Sequence, residues 1–213
     1  MTDFLFNGPQ NAPVTLLLAH GAGAPMDNKS MTAFAEAFAA EGLRVARFEF
    51  AYMASRRTPA GAKPPPRADR VMPEFIAAVD ALAARTPLVI GGKSMGGRVA
   101  SMVAADLHAE GRIAGLVCLG YPFHPPGKPD QLRTAHLAEI AVPTLIVQGS
   151  NDPFGTSAEV AAYALDRRIR IEWIEGGDHD LKPKKGSPMK PAEALRHIAA
   201  EVAAWARALP PSP

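Results

Sequence analysis

The stretch LVIGGKSMGGRVASMVA, residues 88–104, holds a strand, a tight turn and a helix in immediate succession. Residues 88–91 are apolar, as a strand covered on both faces should be. From about residue 95 a helical stripe runs through Val99, Met102, Val103 and Leu107, and Gly111 ends it. Between the two stands Gly92-Lys93-Ser94-Met95-Gly96. A G-x-S-x-G run between strand and helix places its serine on a strained turn with the hydroxyl exposed. Small residues are required on either side, because strand and helix backbones approach closely there. Ser94 is therefore read as a nucleophile.

Two rival motifs fail at nearby positions. A phosphate-cradling loop ending at Gly92-Lys93-Ser94 needs a glycine five residues before Gly92, and Pro87 stands there. Gly21-Ala22-Gly23 begins like a dinucleotide fingerprint, but Met26 occupies the third glycine position. No nucleotide or other cofactor is expected.

Outward from this unit, apolar runs alternate with helical patterns, the sign of a parallel α/β sheet. The strand expectations are 14–19, 44–50, 88–91, 113–120, 144–148 and 169–174. In the last of these Ile169, Ile171 and Trp173 alternate with Arg170 and Glu172, which reads as a half-exposed edge open to pairing in a homodimer. Helices are expected within 28–41, around Phe75, Val79 and Leu82 with Pro73 in the first turn, at 156–165, and along Leu195, Ile198, Val202, Trp205 and Leu209. A single domain over 1–209 with a flexible tail at 210–213 accounts for the chain.

Composition narrows the function. With 213 residues, 47% hydrophobic and 21% charged, the chain is an ordinary globular one, neither disordered nor fibrous. No apolar run approaches the ~20 residues of a membrane span, and the N-terminus lacks the basic-then-apolar pattern of a secretory signal. A net charge of +2 does not advertise nucleic-acid or membrane binding. Cys118 is the only cysteine, so no intrachain disulfide or cysteine-based zinc site is available, and a cytoplasmic setting fits. His124, His136 and His197 lack partners at metal-ligand spacing, so no metal is expected. The 21 prolines gather at 59–66, 122–129 and 210–213. The first two clusters lie in long loops, 51–68 and 121–136, that leave strands at the carboxyl edge of the sheet, where open α/β sheets bind ligands.

A serine nucleophile needs a base, and the base needs an orienting acid. Asp152 follows the strand 144–148, and His179 follows the strand 169–174. Both fall at the sheet edge that carries Ser94, in the chain order Ser, Asp, His. A cap for the helix near 156 is the plain alternative for Asp152, and a loop position for His179. Asp178 and Asp180 flank the histidine, but neighbouring side chains on a turn point apart. The oxyanion donors are expected at the N–H groups of Met95 and Ala22, with Gly23 next in line. His20 reads as a structural hydrogen-bonder. Lys93, Arg56, Arg57, Lys128, Arg133, Lys182, Lys184 and Lys185 all lie in or beside loops at this edge. They make either a solvated rim or an electropositive mouth suited to carboxylate-bearing esters. Lys93, Arg56, Arg57, Gly23, Tyr121 and His124 are the expected substrate contacts.

Six stretches carry a wider likeness: HGAGAPMD (20–27), RFEFAYMASRR (47–57), GGKSMGGRVASMVA (91–104), CLGYPFHPPGKPDQLRTAHL (118–137), QGSNDPFG (148–155) and GGDHDLKP (176–183). By these the chain resembles the α/β-hydrolase superfamily, and more narrowly the small bacterial hydrolases related to animal NSL-complex subunit 3 and to dienelactone hydrolase. The resemblance implies a mostly parallel sheet of six to seven strands with helices on both faces, a triad of Ser94, Asp152 and His179, and little or no lid. Two departures stand out: dienelactone hydrolases carry a cysteine where Ser94 stands, and Ala51 replaces an expected proline. The expected activity is hydrolysis of small carboxylic esters through an acyl-enzyme. Thioesters and lactones suit the same machinery, and a non-catalytic scaffold binding a ligand or protein is the alternative of a different kind.

Overall fold

The computed structural model describes residues 2–58, 61 and 64–210. Part of the expected 51–68 loop (59, 60, 62 and 63) and the tail at 211–213 lie outside the described residues. Seven strands form one sheet: β1 (Leu5–Asn7), β2 (Thr15–Ala19), β3 (Arg44–Phe48), β4 (Leu88–Lys93), β5 (Gly115–Leu119), β6 (Thr144–Gly149) and β7 (Ile169–Ile174). Their spatial order is β1-β3-β2-β4-β5-β6-β7, and every pairing is parallel except β1 with β3. All six strands expected from the sequence are present. The added one, β1, has three residues, too few for a period-2 pattern to show.

Successive side chains of a strand point to opposite faces, and β2 divides accordingly. Leu16 and Leu18 enter one core with Met31, Phe34 and Phe38 of α1 (Lys29–Ala40) and Ile198 and Val202 of α6 (Pro191–Arg207). Leu17 and Ala19 enter the other, against Phe75 and Val79 of α3 (Met72–Leu82) and Val99 and Val103 of α4 (Met95–Ala109). Covering both faces is what makes β2, β4, β5 and β6 buried along their whole lengths.

The strand ends differ from the expected ones for local reasons. β3 stops at Phe48 because the Phe50 N–H donates to His20 Nε2 (3.1 Å), and the chain then turns into the short helix α2 (Ala51–Ala54). β5 stops at Leu119 because Gly120 is left-handed at φ 64° and turns the chain away. β4 runs on to Lys93, so Ser94 follows the strand directly. The helix expected at 156–165 is a single turn, α5 (Ser157–Val160), capped by Thr156 with Glu159 in a reciprocal box. Between Gly120 and Pro143 the only helix is the 3-10 turn Ala135–Glu139, so this connection carries no helical cap. At β7, the outer strand, Arg170 and Glu172 are bound to each other and to Glu201 and His197 of α6. Among the described residues, no helix is long and apolar enough to cross a membrane.

Candidate active site

The turn from β4 to α4 is dictated by close backbone approach. A Cβ on Gly92 would stand 2.3 Å from the Ala19 carbonyl oxygen, and one on Gly96 2.4 Å from the same atom and 2.6 Å from the His20 oxygen. Only glycine lets β2 and α4 come together at this point. Ser94 is held at φ 52°, ψ −116°, a left-handed conformation that costs a serine energy and that the flanking structure enforces. Its N–H donates to the Leu119 carbonyl (3.0 Å) and its carbonyl accepts from Arg98 N–H (3.0 Å). The hydroxyl is thus fixed above the carboxyl edge of the sheet.

Ser94 Oγ lies 2.8 Å from His179 Nε2, and His179 Nδ1 lies 2.8 Å from Asp152 Oδ2. The ring of Phe154 stacks on the imidazole at 4.1 Å between centroids. Asp152 is fully buried and each of its oxygens is held: Oδ1 accepts the Phe154 N–H (2.8 Å) and Oδ2 accepts Gln148 Nε2 (2.9 Å). It does not cap the following helix, since Thr156 does that. Asp178 Oδ1 accepts from the N–H groups of Asp180 and Lys182, and Asp180 faces Lys93, so neither neighbour of His179 competes for its ring.

A cavity of about 500 Å³ opens beside Ser94, lined among others by Ala22, Met95, Pro122 and Phe154. Met95 is the first residue of α4, so its N–H has no intrahelical partner. Ala22 faces the cavity from the turn after β2, and that turn is braced from below. His20 Nδ1 donates to the Gly21 carbonyl (2.7 Å) while its Nε2 accepts from Phe50, which defines a neutral ring. Burial holds the His20 pKa below the ordinary imidazole range. The Tyr52 hydroxyl donates to the Ala22 carbonyl (3.1 Å), and Arg47 donates to that of Met26 (2.8 Å).

Residues 12–207 match the family model described as an alpha/beta hydrolase domain. The chain belongs to the α/β-hydrolase family. Solved structures agree on the fold. An alpha-beta serine hydrolase homologue from Coxiella burnetii is 20% identical with a TM-score of 0.70, covering 95% of this chain and 90% of its own. Dienelactone hydrolase from Anabaena variabilis is also 20% identical, with a TM-score of 0.71 over 98% of this chain and 92% of its own. A serine hydrolase without lid from Xanthomonas campestris, 20% identical, gives a TM-score of 0.65 over 100% of this chain and 91% of its own.

Several expected substrate contacts of this α/β-hydrolase stand elsewhere. Lys93 is buried rather than on the rim, because the β4 pleat carries its side chain under the turn, 3.5 Å from Asp180. Burial pushes its pKa down, and Asp180 and Asp152 push it back up. Arg57 is clamped by Asp27 and Glu49 at 2.7–2.8 Å, which braces the loop after β2 and keeps it out of the cavity lining. Arg56 lies over the Tyr52 ring, 5.7 Å from its centroid. Tyr121 is fully buried, its hydroxyl donating to the Arg133 carbonyl (2.9 Å). His124 is buried against the Pro125 carbonyl (2.9 Å) and Glu159 (3.6 Å). Gly23 is exposed next to Ala22 with open space around it. Of the eight cations expected at the mouth, Arg133 alone lines the cavity, together with Arg67 and Arg98, which were not expected there.

The sequence reading also missed Gln148 and Phe154. Gln148 had a visible signal: it is the one amide in TLIVQG, an otherwise apolar buried strand with a single hydroxyl at its start. Cys118 is buried beneath Gly97, with its thiol pKa pushed up by burial, as an inert core residue. Among the described residues no group of three or more His, Cys, Asp or Glu is arranged to hold a metal ion.

Proposed function

We propose that the protein is a serine hydrolase that cleaves carboxylic esters through an acyl-enzyme. The observation that carries this reading is the unbroken relay from Ser94 Oγ to His179 to Asp152, at 2.8 Å per step, on a strained elbow. Ser94 Oγ attacks the ester carbonyl carbon as His179 Nε2 takes its proton. The N–H groups of Met95 and Ala22 face the developing oxyanion. Asp152 holds Nδ1–H and stabilises the imidazolium, which then gives its proton to the departing alkoxide. Water, deprotonated by the same imidazole, attacks the acyl carbon; the acid leaves and Ser94 regains its proton. The absence of a helical cap between Gly120 and Pro143, with a cavity of about 500 Å³, favours small acyl groups over long lipid chains. The dienelactone hydrolase of the same fold is consistent with this chemistry.

The test is hydrolysis of 4-nitrophenyl esters from acetate to dodecanoate, with fluorophosphonate labelling, in wild type and Ser94→Ala. Activity that falls with chain length and is lost together with labelling in the variant is expected. Activity that survives Ser94→Ala overturns the assignment of the nucleophile.

A further inference from the structure

The wall of the Ser94 cavity carries two guanidinium groups with no carboxylate on either. Arg98 stands one helical turn along α4 from Ser94, and Arg133 comes from the loop after β5; both line the cavity. That loop is pinned where Arg133 leaves it: Arg133 N–H donates to the Phe123 carbonyl (2.8 Å), and the Arg133 carbonyl accepts the Tyr121 hydroxyl (2.9 Å). Arg98 Nε is buried and has no hydrogen-bond partner among the described residues. None of the ion pairs formed by the described residues includes Arg98 or Arg133. The carboxylate on the cavity wall, Asp69, is engaged by Arg67 (3.2 Å).

The contrast with other arginines is informative. Arg47, the most buried, donates to three oxygens, and Arg57, Arg112, Arg168 and Arg170 each meet carboxylates. Arg98 and Arg133 instead share a cavity wall with no ion-pair partner among the described residues. Burial and the Arg98 charge both depress the Arg133 pKa, and the same two causes depress that of His136. Like charges gathered on a half-buried wall are unfavourable until an anion joins them.

We propose that Arg98 and Arg133 form an anion subsite beside the nucleophile, so that the ester substrate carries an anionic oxygen group, carboxylate or phosphate, seated between them. This rests on Ser94 acting as the nucleophile. Guanidinium forks recognise either group through paired charge-assisted hydrogen bonds. Four residues of helix advance about 6 Å, so an acid group a few carbon atoms from the scissile carbonyl reaches the pair. The charge is concentrated by side chains of α4 and the β5 loop rather than by the lysines of the rim.

The experiment compares charged and neutral esters of matched shape: 4-nitrophenyl hydrogen glutarate against its methyl ester, and 3-acetoxybenzoate against methyl 3-acetoxybenzoate. The two pairs place the acid on the acyl and on the alcohol side. In at least one pair the charged ester is favoured in kcat/KM by about tenfold or more. That ratio falls toward one in the Arg98→Met/Arg133→Met double variant and with rising NaCl. Reading the ratio within each protein cancels any general loss of activity. A ratio of one or less in both pairs, in wild-type enzyme that a fluorophosphonate labels, overturns the subsite; so does a ratio that persists in the double variant. If wild type is neither labelled nor active, the nucleophile assignment has failed. The subsite is then judged by glutarate and inorganic phosphate, either of which must raise the thermal midpoint of wild type and not of the double variant. Whichever ion does so, or inhibits competitively, identifies the group; no effect from either overturns the proposal.

Discussion

Replacing Gln148 by leucine removes a buried amide whose every polar atom is in use. Its Oε1 accepts the Tyr121 N–H (2.7 Å); its Nε2 donates to Asp152 Oδ2 (2.9 Å) and to the carbonyls of Tyr121 and Gly155 (3.2 Å each). Leucine fills nearly the same volume, so packing is close to conserved, but the Tyr121 N–H and the Asp152 oxygen each lose a partner in a dry environment. A buried polar group left unsatisfied costs roughly 1–3 kcal/mol, so the Leu variant should lose about 2–4 kcal/mol of stability. A second effect falls on the chemistry. Asp152 Oδ2 is the oxygen that faces His179 Nδ1, and without the amide only the imidazole and the Phe154 N–H on Oδ1 are left to fix its rotation. A drop of about tenfold to a hundredfold in kcat is expected with KM little changed, because the loss is in orientation rather than in binding. Urea unfolding and 4-nitrophenyl acetate hydrolysis measure the two effects on the same preparation. A Leu variant within 0.5 kcal/mol of wild type and with unaltered kcat would refute the claim that this amide organises the acid.

Gly96→Ala should destabilise by about 3 kcal/mol or more, since the new Cβ meets two backbone oxygens that cannot swing aside; a variant with wild-type urea midpoint contradicts the close-approach argument. Between pH 7.5 and 5 the urea midpoint should fall with pH. His20 and His136 have depressed pKa values in the folded chain, so the unfolded chain binds more protons below the ordinary value of about 6.5. His136→Gln should flatten that slope, and a midpoint that rises on acidification would show the sign to be wrong. Lys93→Met should leave stability unchanged or raise it by about 1 kcal/mol, because the charge is desolvated and Asp180, its partner, is half exposed. A loss above 1 kcal/mol in the same unfolding assay would mean that the ion pair stabilises the turn.

The fold was legible where one physical rule acted alone. Strands buried on both faces must be apolar throughout, and β4, β5 and β6 announce themselves that way. Glycines at 92, 96 and 97 announce a turn that no Cβ can enter. Ser94, Asp152 and His179 could be placed because each follows a strand whose direction was already known. The rest was not legible because it depends on where a side chain goes after the backbone is set. Lys93 looks like a rim cation in a string of letters; the strand pleat buries it. Arg57 belongs to a clamp with Asp27, thirty positions away, and Tyr121 to the core under its own loop. Arg98 sits among small and apolar residues of a helix whose stripe reads as core packing, and nothing local reveals that it points into the cavity.

Several departures from ordinary folding rules meet at the carboxyl end of the sheet, although the left-handed Ala83 and Ala141 lie at its other end. The non-glycine left-handed residue at Ser94, the buried ammonium of Lys93, the fully buried carboxylate of Asp152 and the unmatched guanidinium groups all lie within the β4–α4 turn, its cavity and the loops beside it. Other buried or half-buried charges find opposite or polar partners, as Arg47 does on its three oxygens and Glu172 does between Arg170 and His197. Such departures persist only where the surrounding structure over-determines them or where they serve a site. The glycine contacts explain how the elbow is held, and the Gln148 and Phe154 bonds explain how the acid is held. No internal contact explains why two arginines share a cavity wall without a counter-ion. An anionic substrate supplies that missing partner, which ties the chemistry of the elbow to the charge of what it cleaves.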